Sequence, residues 1–421
     1  MKPEIKQRIE QLNRGEIPDG YKKTPFGVFP CDWVTDKTLK DIGTFGKGKG
    51  IPGDKMCSEG VPCVGYGDIY MKYNHFHFEK AESFVDEDTA RESQKIEKGT
   101  LLFTGTGETA EEIGKCVCYT GDEPIYAGGD IITFVSEEVN PLFLAYQQYQ
   151  PFSLKKKASF GQGHSVVHIQ RENLEKLNVA YPENPKEQLK IAALLMKWDE
   201  TIKLQEKKIE KLHTKRDAIV QRVIKKKDGW RQVQLSNVLH ERNDFATKDD
   251  GYPHASLTKL GISLKTGRYN RDFLVKSDEK KYKITHTNDI CYNPANLKFG
   301  VICINKCEFD AIFSPIYITF EVSPEYNTDF IGAILCSADF IRYIRKYEEG
   351  TVYERQAVKA TDFVKGFILV PDTKDEQDHI ANIILKVNNQ VQKEVEFCEL
   401  LIQQRKVLQQ YLLNGILRVN A

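Results

Sequence analysis

Apolar residues fall on a heptad spacing in two long stretches of the chain and on short alternating runs in most of the rest. The first stretch is marked by Ile191, Leu195, Trp198, Ile202, Ile209, Leu212, Ile219 and Val223. The second is marked by Ile380, Ile384, Val387, Val391, Cys398, Leu401, Leu408 and Leu412. A stripe this narrow, held over four heptads or more, predicts coiled-coil helices rather than helices lying on a globular core. Laying Pro182 on Pro371, an offset of 189 residues, aligns the two stretches without a gap: Glu187 and Gln188 meet Glu376 and Gln377, and Ile191 meets Ile380. Both open with a helix-start signature, Asn184 with Pro185 and Glu187 in one and Thr373 with Glu376 in the other. Arg216 and Arg405 interrupt the stripes at equivalent positions, which suits a register-setting role. About 40 residues at 1.5 Å each make a rod of roughly 60 Å.

A repeat this long is no solenoid. It predicts two globular modules, each followed by a long helix. The texture between the helices is short apolar or alternating runs punctuated by glycine and proline, as in VPCVGYGDIY, GTLLFTGTG and GGDIITFVS. Elements of the second module arrive in the same order as in the first: YPHASLTKLGI answers VPCVGYGDIY, and TNDICYNPANLKFGVICI answers KGTLLFTGTGETAEEIGKCVCY. TDFIGAILCSADF, beginning at Thr328, answers NPLFLAYQQYQPF, beginning at Asn140. The expected fold class is α+β: two mixed, mostly β domains joined by two long antiparallel helices that form an intramolecular coiled coil. The expected segments are an N-terminal helix and connector (1–30), a first module (31–181), a central helical region (182–228), a second module (229–370) and a C-terminal helical region (371–421). The first segment ends in an echo, Glu10 to Gly15 against Gln410 to Gly415, which suggests that the chain closes on itself.

Composition narrows the function classes. With 60 Lys and Arg against 60 Asp and Glu among 421 residues, the chain is not a simple electrostatic nucleic-acid binder. Charge is nonetheless uneven: between Lys197 and Lys227 eleven basic residues face five acidic ones. That suits a solvated face or a phosphate-facing stripe equally. No apolar run approaches the ~20 residues of a membrane span, and MKPEIKQRIE is no signal peptide. The ten cysteines include no CxxC pair, so zinc is not expected; reduced cysteines in a cytoplasmic protein are.

Catalytic motifs are not found. Gly43 to Lys49 begins like a phosphate-binding loop, but Gly50 stands where Ser or Thr should hold magnesium, and Pro52 where a helix should begin. Asn293 to Asn296 (NPAN) lacks the second proline and the aromatic that would clamp a flipped base. His75 and His77 have no third ligand in view.

The alternation of two modules with two similar long-helix regions, and the strings GYKKTPFGVFPCDW, GVPCVGYGDIY, FTGTGETAEEIGK and GQGHSVVHI, resemble the specificity subunit of type I restriction-modification systems over nearly the whole chain. The resemblance implies a non-catalytic subunit in which each module reads one half of a split site in double-stranded DNA. It implies that the helices set the gap and dock two adenine-N6 methyltransferase subunits, with restriction and translocase subunits adding to the assembly. It places S-adenosylmethionine, ATP and Mg²⁺ on those partners, with no cofactor and no metal on this chain. The alternative is a coiled-coil scaffold that binds protein only.

Base edges need donors and acceptors on loops, and phosphates need Lys and Arg. On that basis the first module offers Lys47, Lys49, Tyr66, Asp68, Lys155, Lys156, Lys157, Gln162, His164 and Ser165. The second offers Tyr252, His254, Ser256, Thr258, Lys259, Asn293, Asn296, Lys298, Tyr353, Arg355 and Lys359.

Overall fold

The computed structural model describes residues 3–73, 76–163, 166–225, 228–247, 250–258, 261–264, 281–349 and 356–419. The two heptad stretches are helices of 39 and 40 residues, Pro185–Val223 and Lys374–Leu413. The chain forms two compact units, Met1–Gln205 with Cys398–Ala421, and Glu206–Phe397. Each unit contains one β module and a length of both long helices.

In the first unit a five-stranded sheet runs in the order Gly43–Lys47, Ile131–Ser136, Leu101–Thr104, Cys116–Tyr119, His77–Phe78. Leu101–Thr104 is buried at every position, so its run of apolar residues reads as a central strand rather than an alternating one. Phe103, Phe134, Phe143 and Trp33 join Ile191, Ala192 and Leu195 of the first long helix and Leu412 and Leu413 of the second in one core. The helices are therefore part of the module's hydrophobic interior as well as its handle. The second unit repeats the sheet order with Leu239–Arg242, Ile318–Val322, Ile290–Tyr292 and Ile302–Ile304. Its core gathers Phe320, Phe330 and Tyr292 around Ile380, Ala381 and Ile384 of the second long helix.

The junction between module and helix is built the same way twice. Trp33 pairs with Pro182 across a two-stranded ladder, and Trp230 pairs with Pro371 across another. Asn140 caps a module helix by accepting from the Phe143 N–H, while its own N–H donates to Gln188 Oε1 at 2.8 Å. Asn327 caps its counterpart through Phe330, and its N–H donates to Gln377 Oε1 at 3.0 Å. Gln188 and Gln377 thus serve as docking residues that complete the cap of a neighbouring helix. This geometry corrects one alignment: Asn327, not Thr328, is the counterpart of Asn140.

Within each unit the helix segments pair antiparallel, through Asp199 and Arg405 in the first and through Lys208 and Glu394 at 2.7 Å in the second. Ile191, Leu195, Ile202, Ile380, Ile384, Val391, Leu401 and Leu412 are buried, whereas Ile209, Leu212, Ile219 and Leu408 are half-buried. The two interrupting arginines differ in fate. Arg405 is buried in the helix pair, while Arg216 is half-exposed and pairs with its neighbour Asp217, so only Arg405 is placed to fix register.

The N-terminal helix, Pro3–Asn13, lies against the end of the second long helix. Arg8 donates to the Ile416 carbonyl at 2.7 Å and Tyr21 Oη to that of Gly415 at 2.6 Å. The echo between the two ends has a physical basis: Gly15 and Gly415 both take left-handed φ values, +77° and +66°, just past a helix end. No helix among the described residues is long and apolar enough to cross a membrane.

Candidate nucleic-acid interface

Two strings from the first module, FTGTGETAEEIGK and GQGHSVVHI, meet in space. The loop after Leu101–Thr104 carries a two-residue strand, and the returning segment pairs with it antiparallel, Thr106 opposite His168 and Gly107 opposite Val167. Gln162 then bridges His168 on the other side, each backbone N–H donating to the other's carbonyl at 3.0 and 2.9 Å. The Ile169 N–H donates to the Gly105 carbonyl at 2.9 Å, and the Gly105 N–H donates to that of Asp130 at 2.7 Å. Lys49 reaches the same turn, its N–H donating to the Ala127 carbonyl at 3.0 Å. These bonds tie the end of the first sheet strand, the Gly128–Asp130 turn and the returning segment into one surface.

Tyr70 supports the loop from behind. Its hydroxyl lies 2.8 Å from Thr104 Oγ1 and donates to the carbonyls of Thr106 and Glu112 at 3.2 and 3.3 Å. Burial raises its pKa, which keeps the phenol protonated and able to donate. Position 107 has to be glycine because a methyl there would stand 2.8 Å from that hydroxyl. Gly107→Ala is therefore expected to cost about 1–3 kcal/mol by overpacking. In a Tyr70→Phe background most of that penalty should vanish, and thermal melts of the two single variants and the double variant would show it.

The second module builds the same frame at the same offset. The Val358 N–H donates to the Pro294 carbonyl at 3.3 Å, as Ile169 does to Gly105, and both pairs differ by 189 in number. Ala357, the counterpart of His168, is bridged by Glu349. Tyr292 Oη donates to the Val358 carbonyl at 3.0 Å and holds the returning segment. The NPAN turn closes with Gly300 at a φ of +81°, leaving Asn296 and Phe299 exposed. Lys359 is exposed beside it and pairs with Glu349 at 2.6 Å. The backbone frame is shared; the side chains on it are not.

The sequence-derived candidates divide accordingly. Lys47, Lys49, Tyr66, Lys155, Lys156, Gln162, Asn296 and Lys359 are exposed. Tyr252, His254, Ser256, Thr258 and Lys298 are partly exposed, with the His254 ring edge-on to Tyr282. Three are corrected to internal positions. Asp68 is 7 % exposed and accepts from the Gly65 N–H, Ser83 and Lys72, so its carboxylate is committed inside the module. Lys157 is 1 % exposed and donates to the Gly114 carbonyl at 2.8 Å. Asn293 is buried, with its side-chain oxygen accepting from the Ala295 N–H to shape the turn. His164, Ser165, Lys259, Tyr353 and Arg355, like His75, lie outside the described residues. Thr106, His168 and Tyr70 are not among the sequence-derived candidates; by sequence Gly105-Thr106-Gly107 reads only as a lone turn. The signal for Thr106 and His168 lies in the two strings, which carry glycines on either side of Thr106 and just before and after Gln162, while Tyr70 closes a third string, GVPCVGYGDIY.

Chemically the first surface offers an amide, an imidazole and a hydroxyl at its centre, with Lys155 and Lys156 nearby in sequence on the helix Pro151–Phe160. Its loop also exposes Glu108, Glu111 and Glu112, which repel phosphates but can accept from a cytosine amine. All ten cysteines are free thiols, and burial pushes Cys63 up to about 12. No group of three or more His, Cys, Asp or Glu among the described residues is arranged to hold a metal.

Residues 30–214 match the family model of the type I restriction modification DNA specificity domain. The crystal structure of the type I restriction-modification system S subunit from M. genitalium aligns over 90 % of this chain and 96 % of its own, with 14 % identity and a TM-score of 0.52. A chain from a structural study of complex assembly and conformational transition in the type I R-M system aligns over 96 % and 100 %, with 12 % identity and a TM-score of 0.53. No curated protein sequence matches. The chain thus has the fold of a type I restriction-modification specificity subunit, and its residues 30–214 are similar to the DNA specificity domain of that family.

Proposed function

We propose that this chain is the DNA-reading, non-catalytic subunit of a cytoplasmic type I restriction-modification complex. Each module reads one half of a bipartite, asymmetric site in double-stranded DNA. The paired long helices fix the gap between the halves and dock two adenine-N6 methyltransferase subunits, to which restriction and translocase subunits add. S-adenosylmethionine, ATP and Mg²⁺ act on those partners. The observation that carries this reading is the repeated frame: the same order of four sheet strands, and the same backbone tie at an offset of 189 residues, bearing different exposed side chains in the two modules. Two readers of one architecture and unlike surface suit a site whose halves differ in sequence.

Methylation-aware sequencing of host DNA, with and without the gene, tests it. A split adenine-methylated motif that disappears with the gene is the expected result; an unchanged methylome would overturn the reading. Removing one heptad from each long helix shortens each by about 10 Å at 1.5 Å per residue, close to the rise of three base pairs. The gap in the motif is expected to shorten by about three base pairs, or specific binding to be lost. An unchanged motif would remove the spacer role while leaving the two readers in place.

A further inference from the structure

The first module's frame carries a row of three polar side chains, two of which are alanines in the second module. Thr106 faces His168 across one strand pairing and Gln162 faces His168 across the next, so in an antiparallel ladder the three side chains stand side by side on one face. Thr106 Oγ1 lies 3.2 Å from His168 Nδ1, which fits that placement. With the Thr106 hydroxyl donating to Nδ1, the ring proton sits on Nε2 and presents a donor at the far side of the imidazole. Gln162 and His168 are both exposed. Their backbones are locked by the reciprocal hydrogen bonds of the bridge, so little backbone freedom is lost when either side chain engages a ligand.

At the offset of 189 residues, Thr106 and His168 correspond to Ala295 and Ala357. The frame of the second module stands with both side chains cut back to a methyl, and its tie from Val358 to Pro294 is intact. The row is therefore not required to build the frame. A polar row that the architecture does not need, displayed on a fixed surface, is available for recognition.

We infer that Gln162 and His168, with Thr106 orienting the imidazole, are the specificity-determining residues of the first module and read adjacent base edges in the major groove. The inference rests on the DNA-reading function proposed above. The Gln162 amide matches the donor and acceptor of adenine N6 and N7. The His168 Nε2–H matches an acceptor on the neighbouring base, such as a purine N7. Tyr70 is a positioning residue, holding the Thr106 carbonyl without reaching the surface row.

The test uses the full chain assembled with its methyltransferase partner. Variants are Gln162→Ala, His168→Ala and the double variant Thr106→Ala/His168→Ala, which copies the second module. The readouts are the methylated motif and binding to duplexes carrying single base changes. Discrimination at one or two adjacent positions of one half-site is expected to fall by about ten- to a hundredfold, with the other half-site and the melting temperature unchanged. Full discrimination at every position in all three variants would overturn the inference and leave the proposed function standing. A lowered melting temperature with equal loss at both half-sites would also overturn it, by making the row structural. If the unsubstituted complex shows no sequence-dependent binding, the proposed function itself fails.

Discussion

Replacing Arg405 with alanine is expected to destabilise the unit formed by Met1–Gln205 and Cys398–Ala421 by about 3–5 kcal/mol. Arg405 and Asp199 are 6 % and 5 % exposed, and Nε donates to Asp199 Oδ1 at 2.8 Å. The network around them is closed. Tyr146 Oη donates to Asp199 Oδ2 at 2.6 Å, Gln409 accepts from Arg405, and Gln409 Nε2 donates to the Tyr146 carbonyl at 2.9 Å. The guanidinium also stands 4.0 Å from the centre of the Phe76 ring. Truncating the arginine leaves a buried carboxylate with one hydroxyl donor, and the desolvation cost of that charge sets the size of the effect. Replacing both charges with apolar residues, Asp199→Leu with Arg405→Met, should recover most of the loss, because a packed hydrophobic pair avoids the desolvation altogether. Denaturant unfolding of the three proteins decides the matter. A single variant within about 1 kcal/mol of the parent would mean that the pair behaves like a surface ion pair.

The same network shows where sequence reading succeeds and where it stops. The heptad stripes, their antiparallel use and the doubled plan are legible because a period and an offset are properties of the chain alone. Arg405 stood out as an interruption of the stripe. Its counterpart Arg216 stood out equally, yet the two differ in the fold. At the offset of 189 residues Asp199 corresponds to Asn388, which is exposed, so no buried carboxylate stands at the equivalent position to receive Arg216. That difference depends on how deeply each helix segment is covered, by Phe76 and Tyr146 in the first unit, and no local pattern encodes it. The site behaves similarly. Lys155, Lys156 and Gln162 were legible as polar loop and helix residues. Lys157, next in the same run, points inward, and a cluster of three lysines does not reveal which one the helix turns toward the core. Thr106 and His168 are 62 positions apart, and only the pairing of two strands makes them neighbours.

Lys157 makes the second large prediction, in pH dependence. Burial lowers its pKa from the usual 10.5 to about 8, with the ammonium held by the Gly114 carbonyl and a Tyr149 ring 5.5 Å away. Below about pH 8 the folded and unfolded chains both carry the proton, and the full cost of burying the charge is present. Between about 8 and 10.5 the unfolded chain holds a proton that the folded chain has released, so stability rises with pH through this window. The rise amounts to roughly 3 kcal/mol at 1.36 kcal/mol per pKa unit. Above 10.5 the contribution is constant. Lys157→Met should abolish this slope. Its gain near neutral pH should be smaller than that figure, because the Gly114 carbonyl loses its partner at a cost of about 1–3 kcal/mol. Other lysines, tyrosines and cysteines titrate in the same range, so the measurement is the stability difference between parent and variant at each pH from 7 to 11. That difference should move in favour of the parent as pH rises from about 8 to 10.5. A difference that stays flat across the window would show that Lys157 reaches water in the folded state, and the buried placement of its ammonium would have to be abandoned.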